Sequence, residues 1–217
     1  MISIAIDGPA GAGKSTVAKA ISKKLGIVYL DTGAMYRTVA LKALKEKVDS
    51  LDRKKLSEIV KNIDMEIRFI DNQQHMFLDN EDVTEKIRTP EISIGASNVG
   101  TIPEVRLKMA ELQREFAEKH NVVMEGRDIG TFVLPNATIK IFLTASLEKR
   151  AERRYKELVA KGNTEITLED VKRDIEYRDR NDSSRSLAPL TKAPDAIEID
   201  TTDLTVDQVV DKIIDNL

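Results

Sequence analysis

The sequence predicts an α/β fold, a three-layer arrangement in which helices cover a five-stranded parallel sheet that carries a small antiparallel β insertion. Three observations predict it. Short apolar runs alternate along the chain with longer stretches of helical periodicity. A glycine-rich turn joins the first run to the first helical stretch, and one hairpin-like segment breaks the alternation. A chain of 217 residues suits a single domain, 1–217, and is long enough to bury a sizeable core.

The apolar runs at 2–6, 27–30, 122–124, 139–143 and 196–199 read as five buried strands. Between the first two, Val17, Ile21 and Leu25 recur one turn apart, and Gly26 supplies a C-terminal stop. Residues 42–55 are charge-rich with interleaved leucine and valine, the pattern of a solvated helix end and loop. Met65, Ile67 and Phe69 alternate with Glu66 and Arg68; residues 71–74 then turn the chain into Met76, Phe77 and Leu78, giving a hairpin inserted on the main sheet. Thr101 to Glu104 spells a capping box with proline in the first turn, ahead of an apolar stripe of Val105, Met109, Leu112 and Phe116. Ser146 caps a helix carrying Leu147, Ala151, Tyr155 and Leu158, and Thr167 caps one carrying Leu168, Val171 and Ile175.

Composition narrows the function. With 41% hydrophobic and 33% charged residues and a net charge of −3, the chain is an ordinary globular protein without the basic field that duplex nucleic acid calls for. Aromatics at 4% and the absence of tryptophan argue against a base-stacking platform, so no nucleic-acid partner is expected. The lack of cysteine excludes disulfides, thiol catalysis and thiolate-bound zinc. His75 and His120 lie far apart in no ligand-spaced motif and read as surface or packing residues. The apolar start lacks a basic n-region and is too short to span a bilayer, so a cytoplasmic protein with no membrane partner is expected.

Gly8-Pro9-Ala10-Gly11-Ala12-Gly13-Lys14-Ser15-Thr16 matches G-x-x-x-x-G-K-S/T between a strand and an amphipathic helix, the context that marks a phosphate-binding loop. Its glycines let the main chain curl until several N–H groups converge on phosphate oxygens, and the helix N-terminus adds the positive end of its dipole. This whole stretch is expected to bind ATP, with Lys14 reaching the β- and γ-phosphates and the Ser15 hydroxyl ligating Mg²⁺.

Further charged clusters surround that loop. Residues 31–37 and 125–130 follow the second and third strands at the carboxyl edge, where open parallel sheets bind ligands. Arg37 alone reads equally as a surface charge or a ligand. Arg127 is more specific, since Gly126 and Gly130 flank it in a shaped loop. Arg178, Asp182 and Arg185, spaced four and three apart, share a helix face. They are either an exposed ion pair worth about 0.3–0.5 kcal/mol or a guanidinium and carboxylate that read a sugar diol. Arg150, Arg153 and Arg154 interleave with Glu148, Glu152 and Glu157, either as a salt-bridged helix surface or as a lid over a transferring phosphoryl group. Charge favours a kinase. Donor and acceptor bring roughly four and two negative charges together, and two unit charges ~4 Å apart repel by about 4 kcal/mol at an effective dielectric near 20. Lys14, Mg²⁺ and arginines from three segments offset this. No proton-transfer residue stands out; Asp128 can orient the acceptor, whose phosphate oxygen needs little general-base help. A switch or motor ATPase would show a strand ending in aspartate or an Asn-Lys-x-Asp segment; the strand here ends in Glu125 and no such segment occurs.

Taken in order, the loop at 8–16, residues 31–37, the hairpin, Ala96-Ser97-Asn98, residues 125–130, the arginine helix and residues 178–185 resemble the bacterial cytidylate kinases, a branch of the nucleoside monophosphate kinases. The resemblance covers nearly the whole chain. It implies a P-loop kinase fold with a helical lid near 146–166 and an enlarged acceptor-binding insertion near 60–100. It also implies Mg²⁺-dependent transfer from ATP to CMP and dCMP by a monomer. In that family's terms Thr32, Arg37, Arg127 and Arg185 contact the acceptor phosphate, Tyr36 packs near the base, and Arg178 with Asp182 holds the ribose hydroxyls. Ser97, Arg106 and Asp128 read cytosine, whose exocyclic amine needs an acceptor and whose N3 and O2 need a donor; uracil would set an oxygen against Asp128. Arg150, Arg153 and Arg154 fall in the lid, Arg150 and Arg154 toward the transferring group and Arg153 toward ATP. Kinases of UMP, shikimate or dephospho-coenzyme A remain the alternative, lacking the cytosine-reading set.

Overall fold

In the computed structural model, which describes residues 1–217, strand β1 (Ser3–Asp7) runs through the phosphate loop into α1 (Lys14–Leu25), β2 (Val28–Asp31) and α2 (Thr32–Lys45). Then come α3 (Arg53–Lys61), β3 (Met65–Ile70), β4 (Gln73–Leu78), β5 (Glu81–Asp82), α4 (Pro90–Val99) and α5 (Pro103–Ala117). The chain closes with β6 (Val122–Gly126), β7 (Ile139–Thr144), α6 (Leu147–Ala160), α7 (Leu168–Ser183), β8 (Ile197–Asp200) and α8 (Val206–Ile214). Single turns at 86–88 and 129–133 complete it.

The main sheet has the order β2-β6-β1-β7-β8, and every neighbouring pair is parallel. Its strands are the five predicted runs, shifted or extended by one or two residues. Alternation along β1 shows why both faces are apolar: Ile4 and Ile6 pack with Val17 and Ile21 of α1 and Val209 and Ile213 of α8. Ala5, between them, packs with Leu30, Met124 and Ala110 on the other face. Gly26 ends α1 at φ 65°, as its position predicts.

The hairpin forms the expected antiparallel insertion, where it joins β5 in a separate small sheet, β3-β4-β5. Met76 and Leu78 bury against Val39, Ile87, Ile92 and Met109. The side chain of Gln74 ties that sheet to the end of β2: its Oε1 accepts the Asp31 N–H at 2.7 Å and its Nε2 donates to the Asp31 carbonyl at 3.2 Å. Two other expectations change. The capping box at Thr101–Glu104 does not form. Thr101 turns back to donate to the Asn98 carbonyl at 2.7 Å, Ile102 is an N-cap without a side-chain bond, and Glu104 pairs with Arg53 at 2.6 Å. Helix α4 ends so close by that its orphan carbonyls claim the threonine, while Pro103 at N1 fixes the cap at residue 102. The solvated stretch at 42–55 is also shorter than expected, because Asp52 caps α3. Ser146 and Thr167 do cap α6 and α7, the latter with Asp170 in a full capping box. His75 lies 2.8 Å from Asp82, and His120 stacks on Phe116 with centroids 4.3 Å apart. No helix is long and apolar enough to cross a membrane.

One backbone passage sets the position of the phosphate loop. At Gly8 (φ +147°) a Cβ would stand 2.1 Å from the Leu143 carbonyl oxygen of β7, so β1 can leave the sheet beside β7 only as glycine. Gly8→Ala is expected to lower unfolding free energy in urea by about 1–3 kcal/mol, the usual cost of overpacking, and to weaken triphosphate binding with it.

Candidate active site

The carboxyl ends of β1, β2 and β6 open into a cleft of about 470 Å³, walled on its other sides by α4, α6 and α7. Only three of its 26 lining residues are hydrophobic, whereas nine are cationic and five are carboxylates. Such a wall does not suit an apolar ligand. It suits a polyanion.

On the loop side, Ala10, Gly11, Gly13, Lys14, Ser15 and Thr16 line the cleft. Gly8, Pro9 and Ala12 lie behind them, and Ala12 is part of the core against α1 and β1. Lys14 is buried and donates to the Pro9 carbonyl at 2.7 Å. Burial, followed by the nearby Arg127 guanidinium, lowers its pKa to about 7. Of the α6 arginines, Arg153 and Arg154 line the cleft; Arg153 donates to the Thr201 carbonyl (2.6 Å) and hydroxyl (3.0 Å), and Arg154 pairs with Glu157 at 2.8 Å. Arg150, expected beside the transferring group, is not in the cleft wall. It is buried under the loop, donating to the carbonyls of Ala10 (2.9 Å) and Ala145 (3.1 Å) and pairing with Asp179 at 2.6 Å. The first turn of α6 lies so close to the loop that its guanidinium is turned away from the cavity.

On the opposite side two carboxylates organise the arginines. Asp31 caps α2 through the Ala34 N–H (2.9 Å) and accepts from Arg37 (2.7 Å) and Arg88 (3.2 Å). Burial pushes its pKa up, but Arg37 and Arg88 outweigh that and hold it low. Arg88 escaped the sequence reading: it stands on an isolated turn, in no motif, and only folding brings it to Asp31. Asp182, 2% exposed, accepts from Arg127 at 2.6 Å, from Arg185 and from Ser97 at 3.4 Å. This rules out the exposed-pair reading. Burial opposes its ionisation, and Arg127, Arg185 and Arg178 overcome that to lower its pKa. Of its two predicted helix-face neighbours, Arg185 pairs with it, whereas Arg178 lines the cleft without a hydrogen bond or ion pair to it. Burial and Arg127 bring the Arg178 pKa down to about 10.

Thr32 donates to the Glu125 carbonyl at 2.6 Å, so its hydroxyl proton is committed to joining β2 to β6. Glu125 itself accepts from Tyr29 at 2.9 Å, and burial followed by Asp31 raises its pKa. Arg106, 1% exposed, donates to Asp128 and to the Gly100 carbonyl (3.2 Å), with its guanidinium 5.6 Å from the Tyr36 ring centroid. Burial pushes the Tyr36 pKa up to about 12, which keeps its hydroxyl protonated. The turn carrying Asp128 is held from below by Asp7, which accepts the N–H groups of Ile129 (2.8 Å) and Gly130 (2.7 Å). The buried Nε atoms of Arg37, Arg106, Arg178 and Arg185 have no partner within the protein. All four residues line the cleft.

The lowered pKa of Lys14 gives a measurable consequence. Above about pH 7 the amine is largely neutral in the protein alone, and triphosphate oxygens raise its pKa and restore its charge. Binding of a nucleoside triphosphate at pH 8 is therefore expected to draw a proton onto the protein, read as a dependence of calorimetric heat on the buffer's ionisation enthalpy. This uptake fades below about pH 6 and is absent in Lys14→Arg, whose guanidinium does not titrate there.

The cytidylate kinase family model matches residues 4–217. The chain is 51% identical over 214 residues to the cytidylate kinase of Caldicellulosiruptor bescii, spanning 99% of this chain and 94% of that one. It is 54% identical over 213 residues to the cytidylate kinase of Bacillus thuringiensis, spanning 98% and 94%. A solved shikimate kinase from Bacteroides thetaiotaomicron superposes with a TM-score of 0.50 at 12% identity over 99% of this chain and 97% of that one, a likeness of fold alone. With half or more of its residues shared along nearly its full length, from the first strand to the last helix, the chain belongs to the cytidylate kinase family.

Proposed function

We propose that this protein transfers the γ-phosphoryl group of ATP to CMP, forming CDP and ADP, with dCMP as a second acceptor. The observation that carries the choice of base is the buried Arg106–Asp128 pair beside Tyr36 and Ser97, in the cleft that also holds the phosphate loop. A carboxylate next to a guanidinium offers an acceptor and a donor side by side, the complement of cytosine's amine and its N3–O2 edge. In UMP the amine is replaced by a carbonyl, which sets two acceptors against each other.

The remaining residues fall into roles along the cleft. Arg37, Arg88, Arg127, Arg178 and Arg185 hold the monophosphate and direct one of its oxygens at the γ-phosphorus. Asp182, between Arg127 and Arg185, keeps both oriented and offers its carboxylate to the ribose hydroxyls. The oxygen–γ-phosphorus bond forms as the bond to the β–γ bridging oxygen breaks, and ADP leaves with that electron pair. The loop N–H groups and Lys14 stabilise charge on the donor phosphates. Arg153 and Arg154 reach the donor from α6 by exchanging Thr201 and Glu157 for phosphate, closing the lid over residues 146–166 and excluding water. The small sheet and α4, near 60–100, frame the acceptor. Mg²⁺ fits this donor set: Ser15 is exposed at the cleft in the first turn of α1, and Mg²⁺ typically takes few protein ligands beside phosphate and water. When bound beside Ser15 it would neutralise charge on the donor phosphates. A monomer is the working unit of this reading, and nucleotide substrates fit a cytoplasmic setting.

A coupled ADP-release assay across CMP, dCMP, UMP, AMP and shikimate tests the reading. CMP and dCMP are expected to lead, with kcat/KM for UMP lower by about 100-fold or more; equal turnover of UMP or shikimate overturns it. In the same assay Arg127→Ala is expected to lower kcat/KM by about 10²–10³ while the protein remains folded by circular dichroism.

A further inference from the structure

One pair of charged residues beside the cleft has no part in that mechanism, yet it grips the phosphate loop from both sides. Ala10 donates its N–H to Asp179 Oδ1 at 3.1 Å, and its carbonyl accepts from Arg150 Nη1 at 2.9 Å. The same Arg150 nitrogen meets Asp179 Oδ2 at 2.6 Å, closing a ring around one residue of the loop. The Arg150 Nε is anchored in turn to the Ala145 carbonyl, just ahead of α6. Two other kinds of contact act at the same place. The Ala10 methyl group is buried with Ala151 and Leu158 of α6 and Val171 and Ile175 of α7. At Gly11 (φ +77°) a Cβ would lie 3.0 Å from the Arg150 Cβ and 3.1 Å from its carbonyl oxygen. Neither Arg150 nor Asp179 is part of the cleft wall.

We propose that Arg150 and Asp179 are positioning residues that lock the phosphate loop to the α6–α7 hairpin and thereby couple occupancy of the donor and acceptor sides of the cleft; the acceptor half of this statement rests on the CMP reading above. The path is short. Arg178 immediately precedes Asp179, and Asp182, which holds Arg127 and Arg185, lies three residues beyond it on the same helix. Arg153 and Arg154 follow Arg150 by three and four residues on α6. A polyphosphate that reshapes the loop at Ala10 must carry the hairpin with it, because the loop peptide otherwise gives up the hydrogen bonds of both its N–H and its carbonyl to the Arg150–Asp179 pair. Ligands on the two sides then bias one shared equilibrium, and the effect is reciprocal.

The test uses the full chain with AMP-PNP as an unreactive donor. In wild type, AMP-PNP is expected to tighten CMP binding by at least about fivefold in calorimetry, within the usual range of such coupling. In Asp179→Ala and Arg150→Met that factor is expected to fall to near one, with CMP affinity in the absence of AMP-PNP within twofold of wild type. Arg150→Lys, which keeps the charge, is expected to recover part of it. A purely structural brace would lower the urea midpoint and leave the factor intact. Hydrogen exchange with AMP-PNP alone gives a second readout that does not involve CMP. Protection in wild type is expected to extend from the loop into residues 168–185, and in Asp179→Ala or the milder Asp179→Asn to stop at the loop. Unchanged coupling in a folded Asp179→Ala, or a wild type in which AMP-PNP leaves 168–185 unprotected, overturns the proposal. Failure of wild type to bind CMP, with protection of 168–185 intact, overturns the acceptor reading and leaves the loop-to-hairpin link standing.

Discussion

Repulsion among like charges is the constraint on which the cleft depends. Nine cationic side chains share one cavity with five carboxylates, and at an effective dielectric near 20 each pair of unit charges ~4 Å apart costs about 4 kcal/mol. The structure contains this by giving single buried carboxylates more than one guanidinium, Arg37 and Arg88 on Asp31 and Arg127 and Arg185 on Asp182. What is not contained shows in the lowered pKa values of Lys14 and Arg178, to which burial and the charge of Arg127 both contribute. Anionic substrates relieve that repulsion, so affinity and orientation have one electrostatic origin.

The sheet makes this crowding possible. Parallel pairing sets Asp31 opposite Glu125, Glu125 opposite Ile6 and Gly126 opposite Asp7, so the acidic ends of β2, β6 and β1 lie at one level along the carboxyl edge. Each then performs a fixed task. Asp31 caps α2 and gathers arginines, Glu125 receives Tyr29, and Asp7 pins the turn that follows Arg127 and Asp128. A shift of β6 by one residue would move Glu125 to the other face and separate these groups.

Features encoded locally were legible in the sequence. The five strands, the phosphate loop and the caps at Ser146 and Thr167 follow from periodicity and motif spacing. Spacing left Arg37, Arg178 and Arg185 open between surface and site, and only the family resemblance implied their convergence with Arg127. Features decided by competition between distant partners were not. Thr101 had the right neighbours for a capping box, but the end of α4 claimed its hydroxyl. Arg150 could not be told from Arg154 by spacing, because what separates them is the proximity of the loop backbone. Asp182 had helix-face neighbours in Arg178 and Arg185, and it pairs with Arg185 and with the distant Arg127 instead of Arg178. Some signals were present and unused: Thr89 before Pro90 announces α4, Asp52 announces α3, and Thr205 with Gln208 announces α8. Nothing local announces Arg88 or Asp7, whose significance exists only once separate segments meet.

The amide of Gln74 bears on how the small sheet can move. It grasps both the N–H and the carbonyl of Asp31, the residue whose side chain gathers Arg37 and Arg88. Attachment at two points removes the swivel that a single hydrogen bond would leave. The orientation of the small sheet is therefore fixed to the end of β2, at the very residue whose carboxylate sets the aim of Arg37.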